Sequence, residues 1–146
     1  MAAHSDDPRV QAIVQRFQTL GEADVARLGE LYTADAFFKD PFNEVRGTEA
    51  IAGIFAHMFV ALEEPRFVVH QAIVQGDQVF LTWDFLFRMR RFRRDTQCIR
   101  GGSHLQLTAD GRIASHRDYW DAAEELYEKL PVVGALMRWL KRRAAG

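Results

Sequence analysis

Apolar residues recur with a helical period early in the chain and with a strand period after it. Val10, Ile13, Val14, Phe17 and Leu20 follow Ser5-Asp6-Asp7-Pro8, whose cap candidates and early proline predict a helix start. Gly21 ends that helix, and Asp24 caps a second one with Val25, Leu28, Leu31 and Tyr32 on its buried stripe. Ala36 to Lys39 reads as a short extended piece. Pro41 then forces Asp40 out of the α region. Gly47-Thr48 opens a third helix, striped by Ile51, Ile54, Phe55, Met58, Phe59 and Leu62 and closed at Glu64-Pro65.

The second half changes period. Arg66 to Val74 is rich in β-branched and aromatic residues, and Gly76-Asp77 turns the chain into a long strand from Val79 to Phe92. Arg93-Arg94-Asp95 is the next turn, and Gln97 to Thr108 and Arg112 to Asp121 form a hairpin about Asp110-Gly111. The last of these strands alternates strictly. Ala114, His116, Asp118 and Trp120 share one face, while Ile113, Ser115, Arg117 and Tyr119 share the other. A His, an Asp and a Trp in a row suit a face that lines a pocket.

Helices followed by an antiparallel meander predict an α+β fold. The Val79–Phe92 strand is apolar on both faces, with Trp83, Phe85 and Phe87 on one, so both faces of the sheet need a cover. The helices supply one cover, and a second copy in a homodimer is the simplest other. The helical stripe of Val133, Leu136, Met137 and Leu140 follows Pro131, with Arg138, Lys141, Arg142 and Arg143 opposite. It is expected to pack on the body of the fold as a flank or lid.

A chain of 146 residues is expected to make one domain, with its core over about residues 8–125 and a helical extension over about 126–144. Eleven Phe residues predict a bulky apolar interior, and a net charge of −1 gives no general pull toward nucleic acid or an anionic membrane. The run Arg88-Met89-Arg90-Arg91-Phe92-Arg93-Arg94 reads as a solvated hairpin tip rather than a nucleic-acid patch. Cys98 is the only cysteine, which excludes an internal disulfide and a multi-cysteine zinc site. No His or Asp spacing is a known metal signature, so no metal and no cofactor are expected. No apolar run is long enough for a membrane span, and the first residues lack a basic-then-apolar leader, so the expected location is cytoplasmic.

Leu31-Tyr32-Thr33-Ala34-Asp35-Ala36, Lys39-Asp40-Pro41-Phe42, Gly47-Thr48-Glu49-Ala50-Ile51, and Asp110-Gly111-Arg112-Ile113 through Asp118-Tyr119-Trp120 carry a resemblance. In their order, the chain resembles the nuclear transport factor two-like superfamily, and within it the ketosteroid isomerase and SnoaL-like polyketide cyclase relatives. The resemblance covers nearly the whole chain up to about residue 125. It implies a cone: a curved antiparallel sheet, of the cystatin-like roll type, wrapped around three N-terminal helices and enclosing an apolar pocket. It does not imply one function, because the fold carries isomerases, dehydratases, cyclases, epoxide hydrolases and pure binding proteins.

The resemblance also assigns positions. Asp40 falls where ketosteroid isomerases hold their general base, and Phe17 and Ser103 fall where they hold two oxyanion donors, so the base is kept and both donors are changed. Trp120 matches a pocket-wall tryptophan, and His70 lies on a strand comparable to one that carries a pocket His in scytalone dehydratase relatives. From the residues themselves, Asp40 is either a proton-transfer carboxylate raised by Phe38 and Phe42 or the cap of an Asp-Pro turn. His116 and Asp118 are either an acid–base couple or a buried structural pair, and a register slipped by one would bring Arg117 and Tyr119 inward instead.

Ser103 and His104 lie on opposite faces, and the family pattern turns Ser103 inward as a donor. His4 and His57 read as surface residues. The expected site is therefore Asp40, His116 and Asp118 for catalysis. Phe17, Tyr32, Phe55, Phe59, His70, Trp83, Ser103 and Trp120 are expected around a small apolar, ring-containing molecule. The expected chemistry is cofactor-free isomerisation, dehydration or cyclisation. The alternative is a ligand-binding module without chemistry.

Overall fold

Asp7 starts the first helix, α1 (Pro8–Gln18), by accepting the Arg9 backbone N–H on its carboxylate at 2.9 Å. Residues 5–91, 94–125, 136, 139–140 and 142–145 are described by the structure, a computed structural model of the chain. His4, Phe92, Arg93, Pro131, Val133, Met137, Arg138 and Lys141, all named above, lie outside them. Helix α1 buries Val10, Ile13, Val14 and Phe17, and Gln18 docks it to the sheet by accepting the Val69 N–H at 2.9 Å.

The second helical segment is a run of 3₁₀ turns, Glu22–Glu30, broken at Arg27. Asp24 reaches back to the Gly21 N–H at 2.8 Å, and Leu28 is its one buried residue. Tyr32 is not on this helix, as its spacing suggested. It opens strand β1 (Tyr32–Lys39), four residues earlier than the expected extended piece. Its β-branched and aromatic neighbours Thr33, Phe37 and Phe38 favour a pleated surface over a tight helical turn.

Strand β2 (Glu44–Arg46) returns against β1, and helix α2 (Thr48–Ala61) follows, burying Ile51 and Phe55. Strand β3 (Leu62–Gln75) begins directly after α2 and passes through Pro65. Glu64, at φ 51°, and a register shift between Glu63 and Arg66 absorb the proline at this irregular strand start. Strands β4 (Gln78–Met89), β5 (Gln97–Leu107) and β6 (Ile113–Tyr119) complete the meander, and α3 (Ala122–Glu125) leaves it.

The architecture is α+β: one six-stranded, curved and unclosed sheet with helices on its inner face, in the order β2-β1-β6-β5-β4-β3. It is not wholly antiparallel. β1 and β6 run parallel, with Phe38 opposite His116, because the long excursion through α2 and the meander brings the chain back beside its first strand. Inward-facing Leu81, Trp83, Ile99, Leu105 and Ile113 meet Val10, Phe17, Ile51 and Phe55 in the core. Leu136 and Leu140 of the C-terminal stripe are partly exposed, and Val133 and Met137 of the same stripe lie outside the described residues. Among the described residues, no helix is long and apolar enough to cross a membrane.

Candidate functional site

Curvature leaves a cavity of about 490 Å³ between the inner face of the sheet and helices α1 and α2. Its walls are mostly aromatic and aliphatic: Phe17 from α1, Phe55 and Met58 from α2, and Phe67, Leu81, Trp83 and Phe85 from the sheet. That is the size and lining of a small-molecule site. One sector is polar and holds Ser103, His116 and Asp118, with Asp40 and Asn43 at the β1–β2 loop.

The polar sector is one hydrogen-bonded chain across four adjacent strands. Trp83 on β4 donates Nε1–H to Ser103 Oγ on β5 at 2.9 Å. Ser103 donates its hydroxyl to Asp118 Oδ1 on β6 at 2.5 Å, and the two residues are register partners. His116 Nε2 stands 2.6 Å from the same Oδ1, and Tyr32 Oη on β1 stands 2.7 Å from His116 Nδ1. The chain fixes the imidazole tautomer. Tyr32 is fully buried, and Nδ1 is its hydroxyl's one acceptor among the described residues, so Tyr32 donates and Nδ1 accepts. The ring proton therefore sits on Nε2 and points at Asp118.

Burial, and then the charge of Asp118, pushes the Tyr32 phenol well above its ordinary 10.0. Its folded-state value lies above the unfolded one, so the stabilisation is complete below that ordinary value and is lost as pH rises past it. Tyrosinate absorbance from Tyr32 should therefore appear only together with alkaline unfolding. Ionisation of all tyrosines in the intact fold would contradict this.

His116 is clasped by Phe38, Phe17 and Tyr32, with ring centroids at 4.7, 5.8 and 5.9 Å. Asp118 differs. One oxygen takes two hydrogen bonds, while Oδ2 has no hydrogen-bond partner among the described residues and its side chain is 16% exposed. Asp118 lines both this cavity and a shallow depression outside it, which Lys39, Arg117 and Trp120 also line. It therefore stands at the boundary between apolar interior and solvent.

Asp40 lines the cavity, but its carboxylate closes the Asp-Pro loop. Oδ1 accepts the N–H groups of Phe42 and Asn43 at 2.8 and 2.6 Å, and the Asn43 side chain donates to both oxygens at 3.1 Å. That is an Asx-type turn. The Ser103 hydroxyl, expected to reach a ligand, is spent on Asp118. Phe17, Phe55, Trp83 and Trp120 line the cavity, whereas Tyr32, Phe59 and His70 do not. Tyr32 lies behind His116. Phe59 is half-buried on α2, outside the lining. His70 faces outward in phase with Arg66 and Val68, at a shift of register between Val69 and Gln71, and it meets Asp84 at 3.1 Å on the outer face. His57, read as a surface residue, sits at the rim with Phe42 and Asn43. Among the described residues, no three His, Cys, Asp or Glu side chains are grouped so as to hold a metal ion.

The tryptophan wall needs a glycine behind it. Gly101 is the register partner of Trp83, and a Cβ there would lie 2.7 Å from Trp83 Cη2 and 3.0 Å from Trp120 Cβ. Gly101→Ala should drive the indole into the cavity and strain its bond to Ser103, at a cost of about 1–3 kcal/mol. Denaturant unfolding and tryptophan emission would report this. Unchanged emission and stability would show that the wall has slack.

The curved sheet, the inner helices and the cavity between them define the nuclear transport factor two-like, ketosteroid isomerase-like class of fold. Residues 13–116 match the SnoaL-like domain, and the chain belongs to that family. The match ends at His116, just short of Asp118.

Similar solved structures support the fold. A ketosteroid isomerase-like protein from Catenulispora acidiphila, solved with trimethylamine, is 19% identical over 84% of this chain and 92% of its own, with a TM-score of 0.71. A putative SnoaL-like polyketide cyclase from Shewanella putrefaciens is 19% identical over 83% and 98%, at 0.67. An epoxide hydrolase of the LEH-like type from M. tuberculosis is 17% identical over 80% and 83%, at 0.63. No curated protein matches the sequence. The family thus includes isomerases, cyclases and epoxide hydrolases, and likeness at these identities extends to the fold alone.

Proposed function

We propose that this chain is a cofactor-free acid–base enzyme of the isomerase, dehydratase or cyclase kind, acting on a small apolar, ring-containing molecule. The observation that carries the reading is Asp118: a carboxylate on the wall of an apolar cavity, one oxygen saturated and the other without a partner. Asp118 Oδ2 takes or returns the proton. His116, with both nitrogens engaged, orients Asp118 and spreads its charge, and Tyr32 and Ser103 hold the couple in place. Asp40 shapes the mouth. Trp83, Phe55 and Trp120 exclude water from the reacting atoms.

Proton exchange tests this directly. A panel of apolar cyclic ketones in deuterated buffer should include members that gain deuterium beside the carbonyl faster with the protein than without it. Exchange at the buffer rate for every member would leave the second reading, a binding module. That reading is favoured by one observation, that the hydroxyl of Ser103 and both nitrogens of His116 are already committed to neighbours.

In the same reading, a second copy covers the outer face of the sheet, where Val68, Ile73 and Tyr119 are exposed. Sedimentation at micromolar concentration should give a dimer, and Ile73→Asp should shift it to monomer. A wild-type monomer would contradict this part.

A further inference from the structure

The cavity is asymmetric in charge. Its lining holds two carboxylates, Asp40 and Asp118, and no Lys or Arg. Its neutral donors are also spent. The Ser103 hydroxyl goes to Asp118, the Trp83 N–H to Ser103, and the Asn43 amide to Asp40, leaving the Trp120 indole N–H and His57 at the rim. A site built for an anionic ligand or a developing oxyanion presents free donors. This one has no cationic donor in its lining, and it presents a free carboxylate oxygen, Asp118 Oδ2, beside aromatic rings whose faces attract cations.

We infer that the cavity selects a protonated amine carried on an apolar body, with the ammonium N–H donating to Asp118 Oδ2 and the body lying against Trp83, Phe55 and Phe67. On the cavity side the carboxylate has no counter-charge: Ser103 and His116 give it only neutral hydrogen bonds, and the cations Lys39 and Arg117 line the depression outside. An ammonium supplies both the charge and the missing hydrogen bond. Asp40 adds negative potential at the mouth. The inference rests on the cavity being the ligand site named above, and it requires no proton transfer to substrate carbon.

The test is a matched series of phenylbutylamine, phenylbutanol and phenylbutyrate, titrated calorimetrically into the full-length protein. The amine should bind about tenfold or more tighter than the alcohol, the range expected for a charged hydrogen bond in a shielded site, and the carboxylate weakest. Asp118→Asn should bring the amine down to the alcohol while leaving the alcohol within about twofold, because the apolar contacts are untouched. An alcohol that binds as well as the amine, or a carboxylate that matches it, overturns the inference, as does failure of all three to bind. If Asp118→Asn does not fold, the wild-type ranking decides alone. Ketone exchange without amine preference sinks this inference and spares the acid–base reading, and amine preference without exchange does the reverse.

Discussion

Asp118→Asn is expected to lower catalysed proton exchange by about 10²–10⁴-fold, the usual share of a general acid–base group, while the protein remains folded. The amide keeps the shape of the carboxylate, and its oxygen can still accept from Ser103 and His116 at the positions Oδ1 holds at 2.5 and 2.6 Å. What it loses is the proton-accepting oxygen at Oδ2 and the negative charge. The chain from Trp83 to Tyr32 should persist, so the melting temperature should move little while the rate collapses. His116→Ala should act differently. It removes the group that orients Asp118 and opens a hole beside Phe38 and Phe17, so rate and stability should fall together. Exchange at the wild-type rate in the Asn variant would remove Asp118 from the chemistry.

Tyr32→Phe is the second large effect, and it falls mainly on stability. The ring keeps its packing, but His116 Nδ1 loses its 2.7 Å donor in a fully buried setting. An orphaned buried acceptor costs about 1–3 kcal/mol. The tautomer lock goes with it, because nothing then prevents the ring proton from moving to Nδ1 and leaving Asp118 without its partner. Nitrogen NMR of His116 should show a single tautomer in the wild type and a mixture in the variant. An unchanged spectrum would mean that Asp118 alone holds the ring.

The alternation from His116 to Trp120 was legible because a strand leaving an Asp-Gly turn has a period of two and one greasy face. The α+β order followed from the same patterns, and the family from the resemblance carried by residues 31–36, 39–42, 47–51 and 110–120. The structure's particular couplings were not legible. Tyr32 and His116 meet across 84 positions through a parallel pairing of β1 with β6, which local periodicity does not encode. His70 faces outward in phase with Arg66 and Val68, and the irregularity beside it leaves Gln71 outward as well, a break that residue types do not announce. The commitment of Ser103 to Asp118, and of Asp40 to its own loop, depends on cross-strand and loop geometry rather than residue type. Gly101 makes room for Trp83 only because β4 and β5 pair in that one register.

The most direct measurement is a crystal structure of the protein with a bound cavity ligand. The account predicts a polar atom of the ligand within hydrogen-bond distance of Asp118 Oδ2, with its apolar body against Trp83 and Phe55. A ligand whose polar atom avoids Asp118, or a cavity closed by its own aromatic rings with the ligand seated outside, would contradict it.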